Sequence, residues 1–259
     1  MKDKVKQILS LEMIQLSYCL KGTLWISVLL GGVELVLLYY QMITAKYGII
    51  PNQHLGSIKM EPWSFRLEEF LAKSRWDILF IVAFFGILIL LSSVTIRQWN
   101  QSNVEYTYQR LPLRRSYHPF VVVGNSIVCF FIFLSIQLGT ILIGNLFYQT
   151  IVPENARMTQ ALFLAFLRWD FLRNCFPFFD AIQMIRLLAL LFATGVFTMY
   201  FSYHIARRER PIILSVLYLG CIITFFGFQS LKYSILWLVI LGITTFWMIV
   251  RYIQLRGRD

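Results

Sequence analysis

Between Asp77 and Ile96 the chain is almost uninterruptedly apolar, and between Pro119 and Tyr148 it is mostly so. A bilayer core takes about 20 apolar residues per helix. Runs of this length therefore constrain the fold more than any other feature. Only 14% of the 259 residues are charged and 58% are hydrophobic, with a mean hydropathy of +0.65. Soluble domains are about a quarter charged. Repeated spans are what leaves so little polar surface, and by length the chain holds roughly six of them. The expected fold class is an all-α polytopic membrane protein: six transmembrane helices, an N-terminal interfacial amphipathic helix and both termini cytoplasmic.

The two apolar runs flank a polar island, Arg97 to His118, reading RQWNQSNVEYTYQRLPLRRSYH. It is too charged for hydrocarbon and too short for a domain. Arg97, Arg110, Arg114 and Arg115 stand there against a single acid, Glu105. The bias of Lys and Arg toward the inner side makes it a cytoplasmic loop. Its aromatics and Leu111-Pro112 make it a docking surface for a cytoplasmic partner.

Net charge is +11. The basic residues sit in short clusters at span ends, where they set orientation and meet anionic headgroups, so membrane lipid is the implied partner and nucleic acid is not. Of the four cysteines, Cys129 and Cys221 fall inside spans, Cys19 on the inner side and Cys175 outside, so no internal disulfide is expected. The N-terminus does not read as a cleavable signal.

In chain order, residues 1–22 read as a helix lying on the membrane. Val5, Ile8, Leu9, Met13, Leu16, Cys19 and Leu20 share one arc, with lysines at both ends. A soluble helical tail is the alternative. Spans follow at about 24–43, 77–96, 119–148, 181–203, 211–228 and 234–250, all within one transmembrane domain. Glu34 lies near the middle of the first. An ionised acid there costs about 3 kcal/mol unless paired. It is either a substrate or proton contact, or a structural partner for a polar group on a neighbouring helix. One stripe of the third span carries Ser126, Phe130, Phe133, Gln137, Thr140, Gly144 and Tyr148. Such a stripe serves helix packing or a substrate-facing wall. Glu34, Gln137 and Thr140 are the candidate pathway or packing residues.

Residues 45–75 form an outer loop, with Trp63–Leu71 as a short amphipathic helix, and residues 149–180 form a second outer segment. Ala161–Leu167 is too short to span and reads as an interfacial or re-entrant helix. Arg186, near the outer end of the fourth span, can snorkel outward or pair with Asp180. The inner turn His204–Arg210 carries Arg207, Arg208 and Arg210, and the tail carries Arg251, Arg256 and Arg258.

No phosphate loop of the GxxxxGK[ST] type occurs, and neither HExxH nor GxSxG does. No catalytic set and no metal site can be argued, and ATP hydrolysis is not expected of this chain alone. Glu68-Glu69 with Arg75 does not reproduce the Glu-Glu-x-x-x-Arg pattern of membrane-embedded CAAX-type proteases, because that spacing leads to Lys73.

The arrangement resembles the permease subunit of ABC-2 type exporters. In that family the loop between spans 2 and 3 holds a coupling helix with an acid, then Leu-Pro, then a Ser/Thr-Arg-type pair. Here Glu105, Leu111-Pro112 and Arg114-Arg115 correspond. Arg114 stands where a small hydroxyl residue is common, and Gly124 and Asn125 stand where many members have a Lys. The resemblance implies a bacterial plasma-membrane exporter. Two permease chains, as homo- or heterodimer, would work with a separate ABC ATP-binding subunit. ATP and Mg would sit on that subunit, and this chain would bind no cofactor. Coupling would fall on Glu105, Tyr106, Tyr108, Arg110, Leu111, Pro112, Leu113, Arg114 and Arg115. Independently, Pro112 stiffens this loop. Tyr106, Tyr108, Leu111 and Leu113 offer apolar anchors, and the arginines reach carboxylates or lipid phosphates. The abundance of Phe (23 residues) suits an amphipathic peptide, a lipid-like molecule or a drug as substrate. The alternative is a non-transporting membrane subunit, an immunity or anchoring component that binds a protein partner.

Overall fold

The first expected span lies within α1 (Lys2–Tyr47), an unbroken helix of 46 residues. At 1.5 Å per residue it is about 69 Å long, more than twice a bilayer core. The computed structural model describes residues 2–47, 66–100, 118–154, 157–178, 180–209, 211–227 and 231–256. The helices that follow are α2 (Leu67–Lys73), α3 (Trp76–Asn100), α4 (His118–Ile151), α5 (Ala161–Arg168), α6 (Asp170–Cys175), α7 (Ala181–Ala206), α8 (Ile212–Gly227) and α9 (Leu231–Arg256). No strand occurs among the described residues. Five helical segments are long and apolar enough to cross a membrane: Leu16–Ala45, Trp76–Arg97, Pro119–Ile151, Ala181–Ala206 and Tyr233–Leu255. This is the architecture of an all-α, multi-pass membrane protein.

One expectation changes, and one expected span is short among the described residues. The interfacial helix of residues 1–22 is not a separate element, because α1 runs through the expected boundary without a break. Gly22, the one weak helix former there, costs only about 1 kcal/mol. A Cβ at Gly22 would clash with Leu90 of α3, so packing accounts for the residue. The fifth expected span becomes α8, whose 16 residues extend about 24 Å, short of a bilayer core of about 30 Å. The short helices expected at Trp63–Leu71 and Ala161–Leu167 appear as α2 and α5, and α6 is an addition to them; residues 48–65 lie outside the described residues.

Close approaches fix the helix directions. Gly22 meets Leu90 and Gly86 meets Ile26, so α1 and α3 are antiparallel. Gly31 meets Thr140, Gly144 meets Leu38, and the Tyr39 and Phe147 rings lie 5.9 Å apart, so α1 and α4 are parallel. Helix α7 is central. Residues Ala193–Tyr200 are all buried, and Gly195 lets the backbone of Val123 in α4 come within 3.0 Å of where a Cβ would stand. Ser202 Oγ donates to the Ser92 carbonyl of α3 at 3.3 Å. Tyr218 of α8 donates to Thr194 Oγ1 at 2.6 Å, and Trp237 of α9 donates to the Cys221 carbonyl at 2.9 Å.

These contacts bring the ends of α3, α7 and α9 and the starts of α4 and α8 to one end of the bundle, alongside the N-terminal half of α1. At the other end α2, α5 and α6 form a cap. Phe171 of α6 stacks on Phe226 at 5.6 Å and meets Phe80 edge-on at 5.3 Å. Arg168 pairs with Glu68 at 3.5 Å, and Arg173 with Asp180 at 3.6 Å. Chain reversals use left-handed residues at Arg75 (φ 57°) and Arg208 (φ 60°).

Candidate functional site

The stripe on α4 faces the interior. Ser126, Phe130, Phe133, Gln137, Thr140 and Tyr148 are buried, and Gly144 receives Leu38. Small residues let two membrane helices approach closely, and the seam between α1 and α4 is built this way. The methyl group of Thr140 fills the notch at Gly31, 2.6 Å from where a Cβ would be. Its hydroxyl donates back to the Gln137 carbonyl at 2.7 Å.

This close seam carries the acid. Glu34 of α1 is fully buried, and Gln137 of α4 is too. The Gln137 amide lies within reach of the Glu34 carboxyl. No hydrogen bond of ordinary length and angle is closed by either side-chain end with a described residue. The three residues named from sequence, Glu34, Gln137 and Thr140, thus come together near the middle of two parallel spans. A buried polar group without a closed partner demands an explanation, and inside a membrane the default one is functional.

The polar line on α1 is longer than one residue. Thr23 and Ser27 are also buried on the face that bears Glu34, with Ser27 Oγ donating to the Thr23 carbonyl at 2.7 Å. Thr23 lies beside Cys129 of α4. The sequence reading did not single out either residue. Their spacing, at i, i+4 and i+11 through Glu34, was the signal.

A second polar node lies toward the cap. Arg186 neither snorkels outward nor pairs closely with Asp180. It is fully buried, with Nη1 donating to Gln183 Oε1 at 2.7 Å and to Ser234 Oγ at 3.1 Å, and Nη2 to the Phe225 carbonyl at 3.4 Å. Its guanidinium sits 5.2 Å from the Phe225 ring centre and 5.1 Å from that of Trp237. Asp180 instead caps α7, accepting from the Ile182 and Gln183 amides, and pairs with Arg173. This node joins α7, α8 and α9 much as the Glu34 seam joins α1 and α4.

The four cysteines are buried free thiols. Burial under the cap pushes the Cys175 thiol well above its ordinary value. Among the described residues, no three His, Cys, Asp or Glu side chains gather as metal ligands. The expected coupling residues Glu105, Tyr106, Tyr108, Arg110, Leu111, Pro112, Leu113, Arg114 and Arg115 lie outside the described residues. Comparison with protein-family models, curated proteins and solved structures finds no match to this chain.

Proposed function

We propose that this chain is the transmembrane subunit of an ATP-driven exporter of the ABC-2 type, seated in a bacterial plasma membrane. One observation carries the reading. The polar segment joining α3 to α4 leaves the bundle at the same end as the Arg207-Arg208 turn and Arg251. A strongly basic end is a cytoplasmic end. Both termini then lie in the cytoplasm, and α8, short as it is, makes the sixth crossing through a locally thinned bilayer, antiparallel to α7 and α9.

On this reading the loop of residues 101–117 is the lever. A separate ABC subunit binds ATP and Mg and closes on Leu111, Pro112 and Leu113, with Arg110, Arg114 and Arg115 meeting its carboxylates. A second permease chain completes the pathway, and the polar seam at Glu34 and Gln137 supplies a contact within it. The reading is tested by Leu111→Asp combined with Arg114→Glu. ATP hydrolysis by the assembled complex falls to that of the free ATP-binding subunit, while the chain stays in the membrane. Unchanged hydrolysis removes the loop from the mechanism.

A further inference from the structure

At the basic end of the bundle, α7, α8 and α9 leave a cleft of about 500 Å³ between them. Ligand sites commonly fall in this size range. Its two sides differ in chemistry. Ile213 and Trp247 form an exposed apolar wall continuous with the lipid-facing surface, and Tyr200, His204, Glu209 and Arg251 form a polar end.

The polar end is built rather than incidental. His204 is only 6% exposed. Its Nδ1 is 2.8 Å from Glu209 Oε2, and its ring packs on Tyr200 with centroids 4.3 Å apart. The other ring nitrogen, Nε2, has no hydrogen-bond partner among the described residues. Glu209, the one acid lining the cleft, is thereby engaged by the imidazole. Arg251 is exposed at the cleft and forms no ion pair with a described residue. Arg207 adds positive charge from behind, its guanidinium resting 4.6 Å above the Tyr203 ring. The first turn of α8 lines the same space, and the positive end of its helix dipole favours an anion.

We propose that this cleft binds one anionic glycerophospholipid from the adjoining leaflet. Arg251 and the start of α8 hold the phosphate diester, above the buried His204–Glu209 pair. An acyl chain runs over Ile213 and Trp247. A free phosphate would satisfy the polar end but leave the apolar wall uncovered, which is why a lipid is the occupant. The site does not depend on the transporter reading.

The test is native mass spectrometry of the full chain in mild detergent, offered phosphatidylglycerol, phosphatidylcholine or inorganic phosphate. The wild type retains phosphatidylglycerol in preference to phosphatidylcholine. Arg251→Gln reduces that retention about tenfold, the loss expected for one charge-assisted contact. Arg251→Lys keeps most of it, and Arg208→Gln, exposed at the same end but outside the cleft, keeps all of it. Ile213→Asp, which puts a carboxylate on the exposed wall, gives the loss without altering Arg251. Equal retention of the two lipids overturns the site. So does equal loss in Arg208→Gln, or displacement of the lipid by inorganic phosphate alone.

Discussion

Glu34 of α1 and Gln137 of α4 lie against each other one turn from the point where Gly31 admits the methyl group of Thr140. A close approach of these two helices and their most polar contact therefore lie within one turn of each other. Glu34→Gln keeps the shape and the capacity to bond Gln137, so the thermal midpoint of the purified chain stays near wild type. Glu34→Leu replaces the acid facing the buried Gln137 amide with an apolar side chain and lowers stability by about 1–3 kcal/mol. Under the proposed function, a seam role alone predicts that Glu34→Gln also leaves the ATP hydrolysis of the proposed complex intact. A pathway role predicts that it falls.

The glycines divide into those that must be glycine and those that need not. Gly195→Ala would press a methyl group onto the Val123 backbone, which has no side-chain rotation to relieve it. We expect a loss of about 1–3 kcal/mol in thermal unfolding. Gly31→Ala meets the Thr140 methyl, which is held by its hydroxyl bond to Gln137, and loses a comparable amount. Gly32→Ala has open space within 4 Å and is neutral or slightly stabilising. Equal effects at Gly31 and Gly32 would contradict the seam.

Arg186 should not tolerate lysine. A single ammonium cannot reproduce donation to Gln183, Ser234 and the Phe225 carbonyl while lying between two rings. Arg186→Lys and Arg186→Ala are both expected to cost about 3 kcal/mol, because each leaves buried acceptors unanswered. Near-normal unfolding of Arg186→Lys would mean that charge alone matters there.

Cys175 offers a chemical test of the cap. It is the last residue of α6 and is buried, and burial holds its thiol in the protonated, unreactive form. Maleimide at neutral pH should modify it at least about a hundredfold more slowly than a free thiol and reach it only on unfolding. Rapid labelling in intact membranes would show that α2, α5 and α6 do not close that end of the bundle.

Much of this architecture was legible in the residues. Hydrophobic length located the spans because hydrocarbon thickness is a fixed ruler, and the α4 stripe from Ser126 to Tyr148 was readable from helical periodicity. What failed depended on partners far along the chain. Arg186 read as an outward charge because nothing near it in sequence shows that Ser234 and Phe225 fold over it. Residues 1–22 read as a separate surface helix because lysines stand at both ends of its apolar arc, and no residue in that stretch shows that Gly22 packs on α3. Contact with Leu90 makes it an ordinary position inside one long helix. The cleft at His204 was missed for a similar reason, since its apolar wall comes from Trp247, a residue on another helix.

The central claim is that this chain works with an ABC ATP-binding subunit, and co-purification from its native membrane in mild detergent tests it most directly. The account predicts a stoichiometric partner that carries a nucleotide-binding site and that is lost when Leu111 and Arg114 are replaced together. A chain that purifies alone, or with a partner lacking any nucleotide site, would contradict it.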